Sequence, residues 1–193
     1  PFMVLLAALK VLFCRLCDRT DIAVGSPIAN RGREELERTI GFFVNTLVLR
    51  TYLKGNPSFR EALERVKHSC LEAYAHPELP FGRLVDLLEA ERDPGRSPLF
   101  GIMFVLQNTG KGRRLNLAGC EAEELRVIYD TAKFDLTFEM SDGEEDFSGE
   151  IEFNTDLYHP GTVRRLARYY KKLLCDACLD PARRLDDFDL LIP

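Results

Sequence analysis

Nucleophilic and general-base chemistry needs a His, Cys, Ser or Lys held beside an orienting partner, and this 193-residue sequence holds only three histidines. His68 falls inside a helical pattern but off its apolar stripe, and reads as a surface residue. His76 precedes Pro77 in a connection between two helical patterns. His159 precedes Pro160 at a helix start, where a polar side chain often serves as a cap. None is embedded in a motif that supplies a second catalytic group, and a Gly-x-Ser-x-Gly elbow, a phosphate-binding glycine loop and a His-x-x-x-His pair are all absent. The six cysteines, at 14, 17, 70, 120, 175 and 178, include two Cys-x-x-Cys pairs. Zinc pairs sit on tight knuckles that turn both thiolates to one ion. Cys14 and Cys17 instead lie inside an apolar helical pattern, and Cys175 and Cys178 close another, so packed, reduced thiols and no metal are the expectation.

The elements around these residues are of mixed type. Phe2 to Leu16 is apolar except at Lys10 and Arg15, the pattern of a helix buried on most faces, with Pro1 acceptable at its first turn. Ile22 to Gly25 reads as a short strand ended by Gly25-Ser26-Pro27, and Ala29 to Glu37 as an exposed loop. Gly41 to Thr51 is β-branched and aromatic, a strand entering a core. Asn56-Pro57 signals a helix start, and Phe59, Ala62, Leu63, Val66, Cys70 and Tyr74 follow at helical spacing. A second helix is expected from Pro80 to about Glu91, burying Phe81, Leu84, Val85 and Leu88. Leu99 to Leu106 suits a central strand. Phe134 to Met140 and Phe147 to Phe153 alternate as one-sided strands joined by the turn 141–146, where Glu144, Glu145 and Asp146 read as solvated. A last helix is expected from Pro160 to about Cys178, burying Val163, Leu166, Ala167, Tyr170 and Leu174.

Net charge is −5 with a pI near 5.4, which argues against a nucleic-acid footprint; Lys111 to Arg114 is the only basic knot and reads as a loop. No apolar run is long enough to span a bilayer. The start carries neither a charged leader nor an initiating Met, so a signal peptide is not expected and a cytoplasmic location is. An opening in mid-pattern at Pro1 reads as a piece of something longer. The length suits one α/β domain, a mixed β-sheet packed with helices.

Resemblance adds what composition cannot. The stretch DIAVGSPIANRGREELERTIGFFVNTLVLRT, 21–51, resembles the condensation domains of nonribosomal peptide synthetases, which carry Gly-Thr/Ser-Pro-x-Ala-Asn-Arg followed by Ile-Gly-x-Phe-x-Asn-Thr. HPELPFGRLVDLLEAERDPGRSPLFGIMFVLQN, 76–108, is similar to two later motifs of that family, and KFDLTFEM and IEFNTDLY to its late strands. Two departures stand out. Pro77 follows His76 where the family usually has a polar residue, and the family's His-His-x-x-x-Asp-Gly motif is nowhere in the chain; Ser141-Asp142-Gly143 echoes only its tail.

The resemblance implies one of two lobes, each like chloramphenicol acetyltransferase, that form a V around a tunnel. Residues 1–180 would be the C-terminal lobe, without the catalytic histidines and inactive alone, and 181–193 an exit linker toward an adenylation domain. Its partners would be the N-terminal lobe and donor and acceptor carrier proteins, whose phosphopantetheine arms bring the aminoacyl and peptidyl thioesters; no cofactor would bind directly, and neither nucleic acid nor membrane is a partner. Arg31 would pair with the Asp of the missing motif across the lobes, unless it is a plain exposed arginine. Gly25, Ser26, Asn45, Gln107 and Asn108 would line the tunnel, the polar ones unless they hydrogen-bond locally. Phe42, Phe43, Phe81 and Phe104 are expected in the core. A non-catalytic carrier-binding module is the alternative function.

Overall fold

A computed structural model of the chain describes residues 1–90, 95–107, 119–120, 131–143 and 146–190. Asn108, the basic knot at 111–114, the Glu144–Glu145 pair and the expected helix end at Glu91 lie outside the described residues. Helix α1 (Phe2–Cys17) is the spine, buried continuously from Leu5 to Phe13. It ends where Asp18 takes a left-handed conformation at φ 51°. Around it come β1 (Asp21–Ile28), a single turn α2 (Glu34–Glu37), β2 (Asn45–Tyr52), α3 (Phe59–Tyr74), α4 (Phe81–Leu87), β3 (Ile102–Gln107), β4 (Leu136–Asp142), β5 (Phe147–Phe153) and α5 (Pro160–Leu179).

The five strands form one mixed sheet in the order β2-β1-β3-β4-β5. β1 and β2 are antiparallel, from Asp21↔Tyr52 to Ile28↔Asn45, and β4 and β5 likewise. β3 runs parallel to β4 from Ile102↔Leu136 to Gln107↔Ser141, and touches β1 in parallel at Gly25↔Met103. Alternation then sorts the side chains. Ile22, Val24, Leu47, Leu49, Phe104, Leu136 and Phe138 join the main core with α1, α3 and α5. Gly25, Val48, Met103, Val105 and Gln107 lie on the far face.

Several expectations are corrected by context. β1 does not stop at Gly25-Ser26-Pro27 but runs through them; past Gly25 its only registered partner is β2, the edge-like condition that tolerates proline in a strand. β2 begins at Asn45, so 41–44 lie outside it, and Phe42, expected in the core, is 88% exposed. Phe43 and Phe81 are half-buried, and Phe104 alone of the four is fully buried. The cap of α3 is Ser58, not Asn56: Ser58 Oγ accepts from the Glu61 N–H and Glu61 answers to the Ser58 N–H, a capping box. Asn56 Oδ1 accepts instead from the Asp186 N–H. α4 stops at Leu87, and Leu88, expected inside, is 59% exposed. On α5, Ala167 is exposed and Leu173 takes the buried place.

The segment after α5 is packed over its described part. A short 3-10 turn, Leu185–Asp187, follows a bridge between Ser58 and Arg184, and Leu185 and Phe188 join the main core, Phe188 edge-on to Phe59 at 6.4 Å. The main core therefore takes in residues past 180.

Candidate functional site

The far face of β1 and β3 carries a second, smaller cluster. Val85, Phe100 and Met103 are buried but stand apart from the main core. The Phe100 ring lies on Gly25 so closely that a Cβ there would fall 2.3 Å from it, so only glycine fits. Phe100 meets Phe81 at 5.6 Å and Phe134 at 5.3 Å, both within the range of favourable aromatic pairs. Four segments that resemble condensation motifs thus converge on one spot.

Asn45 holds part of this cluster in place. Its Nδ2 donates to the Pro77 and Leu79 carbonyls at 2.9 and 2.8 Å, and its Oδ1 accepts from the Thr46 and Phe81 N–H groups at 2.9 and 3.1 Å. Both donors and both acceptor positions are used, so its role within this chain is local. Ser26 is buried on the other side of β1, the face of Val24, while Gly25 faces Phe100. Gln107 ends β3 on the far face and donates from Nε2 to Glu139 Oε1 at 3.2 Å. The expected tunnel residues therefore do not share one surface: Gly25 and Gln107 do, Ser26 does not, and Asn45 works through the turn it clamps.

Arg31 braces the loop ahead of β2. Its Nη1 donates to the carbonyls of Leu36 and Thr39, the latter at 2.7 Å, and its Nη2 to Gly41 at 3.0 Å, with the guanidinium 4.5 Å above the Phe43 ring. Three of its five N–H groups are thus engaged, leaving two without a hydrogen-bond partner among the described residues. The same loop presents Ile40 and Phe42 to solvent at 101% and 88%.

No described histidine is set up as a base. His159 Nδ1 accepts from the Gly161 N–H at 3.1 Å, the expected cap of α5. His68, 75% exposed, lies 3.4 Å from Glu72 one turn on, and His76 is exposed. All six cysteines are free thiols, and no group of three or more potential metal ligands occurs among the described residues. Among the described residues no helix is long and apolar enough to cross a membrane.

One polar residue escapes the sequence pattern. Lys10, which reads as a break in an apolar helix, is fully buried; its Nζ donates to the Leu49 carbonyl at 2.8 Å and to Thr51 Oγ1 at 2.7 Å. Thr51 Oγ1 passes the chain to Ser69 Oγ, which donates to the Arg65 carbonyl, so α1, β2 and α3 share one polar thread. Burial pulls the ammonium down to about 8, against a smaller opposing pull from Cys70. The signal is present in the sequence: a single lysine midway along an otherwise apolar helix must find partners inside.

A helix-packed mixed sheet with motif residues gathered on its far face is the condensation-domain fold. A complex of the X-domain and OxyB from teicoplanin biosynthesis contains a chain that superposes with TM-score 0.90 at 25% identity, over 100% of this chain and 43% of that one. The condensation domain of the monacolin K polyketide synthase MokA superposes with TM-score 0.80 at 26% identity, over 96% and 43%. The Condensation domain family model matches residues 2–193, and the chain belongs to that family, whose general function is peptide-bond formation in nonribosomal peptide synthesis. One polypeptide of the linear gramicidin synthase of Brevibacillus parabrevis is 48% identical over 178 residues, covering 90% of this chain and 3% of that synthase chain. Tyrocidine synthase 2 of the same organism is 38% identical over 191 residues, covering 98% of this chain and 5% of that one. The chain therefore spans a small fraction of the synthetases it matches.

Proposed function

We propose that this chain is the C-terminal half of a condensation domain, which joins the α-amine of one carrier-bound aminoacyl group to the thioester of another. The observation that carries the reading is the match to well under half of a solved condensation domain, 43% of MokA's, by a chain that is itself matched almost from end to end. The absence of a His-His-x-x-x-Asp-Gly motif from the sequence fits it, and so does the lack of a histidine poised as a base among the described residues. Alone, the lobe is inactive.

Its contribution is geometric. Two thioesters tethered to phosphopantetheine arms must meet in attack geometry, and alignment of that kind lowers a barrier substantially. The far face, with Gly25 and Gln107, would form one tunnel wall; Ser26 and Asn45 would support it from behind and from the side, and Asn108 follows Gln107 in the chain. The exposed apolar residues Ile40 and Phe42 would meet the N-terminal lobe, since surfaces of that kind mark interfaces. The two N–H groups Arg31 has left would take the carboxylate of the missing motif's Asp across that boundary. Donor and acceptor carriers would dock at the tunnel mouths, and the chain beyond 190 would lead toward an adenylation domain.

A second reading, a docking module without chemistry, is favoured by one neighbour: the teicoplanin X-domain is seen in complex with another protein, OxyB. One reconstitution separates the two. The chain is mixed with the family's first lobe and both loaded carriers, and dipeptidyl thioester is read by intact mass. Product is expected only with both lobes, and less or none with Arg31→Ala. Product from this chain alone, or undiminished product from Arg31→Ala, would overturn the corresponding claim. Carrier binding without product in every arrangement would favour the docking module.

A further inference from the structure

We propose that Asn45 is a positioning residue for condensation: its carboxamide fixes the 77–81 turn and, through that turn, the height of the aromatic wall formed by Phe81, Phe100 and Phe134 above Gly25. The proposal rests on the reading that the far face lines the tunnel.

The turn cannot hold itself. α4 is seven residues long, has Val85 as its one buried residue and gets no side-chain cap from Pro80; helices this short need outside support. Asn45 supplies it from 36 positions away, giving the Phe81 N–H its acceptor and tying down the Pro77 and Leu79 carbonyls. The orientation of the amide is forced, because a flip would set NH2 against two N–H donors and the oxygen against two carbonyls. What the clamp places is then a relay of contacts. Phe81 abuts Phe100, Phe100 also packs on Phe134, and Phe100 occupies the space that any side chain at 25 would need. Phe100 is itself buried, so a substrate passing along β1 would meet this wall through the half-buried rings of Phe81 and Phe134, whose height Phe100 sets. Asn45 therefore acts on substrate alignment without touching substrate, and a shift of the wall by an ångström is a loss in rate more than in carrier affinity.

The test uses the complete, carrier-linked condensation domain. With Asn45→Ala, kcat for amide formation is expected to fall roughly 10- to 100-fold, while KM for the loaded acceptor carrier stays within about twofold. Phe81→Leu should reproduce the effect. The double variant should lose no more than the worse single one, since both act on one wall. Wild-type kcat in Asn45→Ala, a loss confined to KM, or multiplying losses in the double variant would overturn the proposal. Should Asn45→Ala fail to fold, Gly25→Ala decides: it displaces Phe100 with the clamp intact and must lower kcat in the same manner, and an unchanged kcat contradicts the wall's role. Should the wild-type domain form no amide, the function proposed above fails by itself. The clamp is then read from hydrogen exchange at the Phe81 amide, which must quicken in Asn45→Ala; an unchanged rate refutes it.

Discussion

The two faces of the sheet are built on different terms. On the packed face, α1, α3 and α5 cover Val24, Leu49, Phe104, Leu136 and Phe138 completely or nearly so, and the few polar atoms there are spoken for, as Lys10 and Thr51 are. On the far face a small cluster, Val85, Phe100 and Met103, rests on one amide clamp, a helix of seven residues and the Phe134 ring, and beyond it Ile40 and Phe42 stand in solvent. The packed face holds the fold together. The far face is sparser, and under the proposed function it is the one that a first lobe would complete.

The largest effects should come from the packed face. Phe138 sits edge-on between Phe13 at 6.1 Å and Tyr170 at 5.7 Å, so Phe138→Ala should cost about 3–5 kcal/mol. Val105→Ala, on the half-buried far face, should cost under about 1.5 kcal/mol, by the transfer value of the two methyl groups removed. Urea midpoints of the two variants compare them; equal losses would mean that the far face carries the fold as much as the packed one does.

Lys10 sharpens the contrast by pH. Its folded pKa, about 8, lies below the ordinary 10.5. Between those values the unfolded chain binds a proton that the folded one does not, so this residue's contribution to stability rises with pH. Measured against Lys10→Met, wild-type stability should gain up to about 3 kcal/mol between pH 7.5 and pH 10.5. The subtraction cancels the opposite drift that burial gives the Cys70 thiol, but not the smaller lowering that Lys10 itself exerts on it. A flat difference would mean that water reaches Lys10 and that the packed face is not dry there.

What the chain's own pattern discloses follows the same division. α1, the α3 stripe, the hairpin of β4 and β5, and α5 are legible because each buries one face with its own period. Phe42 misleads because an aromatic residue in a strand-like run looks like core whether or not a partner covers it. The packing of 179–190 is hidden because its charges and Pro181 mask Leu185 and Phe188, two core residues at a spacing too sparse to signal burial. At the candidate site, single motifs are visible, but their meeting is not. Gly25 and Phe100 are 75 positions apart, and nothing local says that one exists to admit the other. Asn45 resembles a substrate contact because an Asn at a strand end presents an amide; its partners are carbonyls more than thirty residues away, knowable only once the chain is folded.

Under the proposed function the far face, and not the helix face, meets a first lobe. Hydrogen–deuterium exchange of this lobe, alone and mixed with the first lobe, tests it directly. Slower exchange is expected at 25–27, 39–46 and 77–88 when the partner is added, with α1 and α5 unchanged. Protection confined to α5, or none anywhere while the two lobes co-migrate, would contradict it.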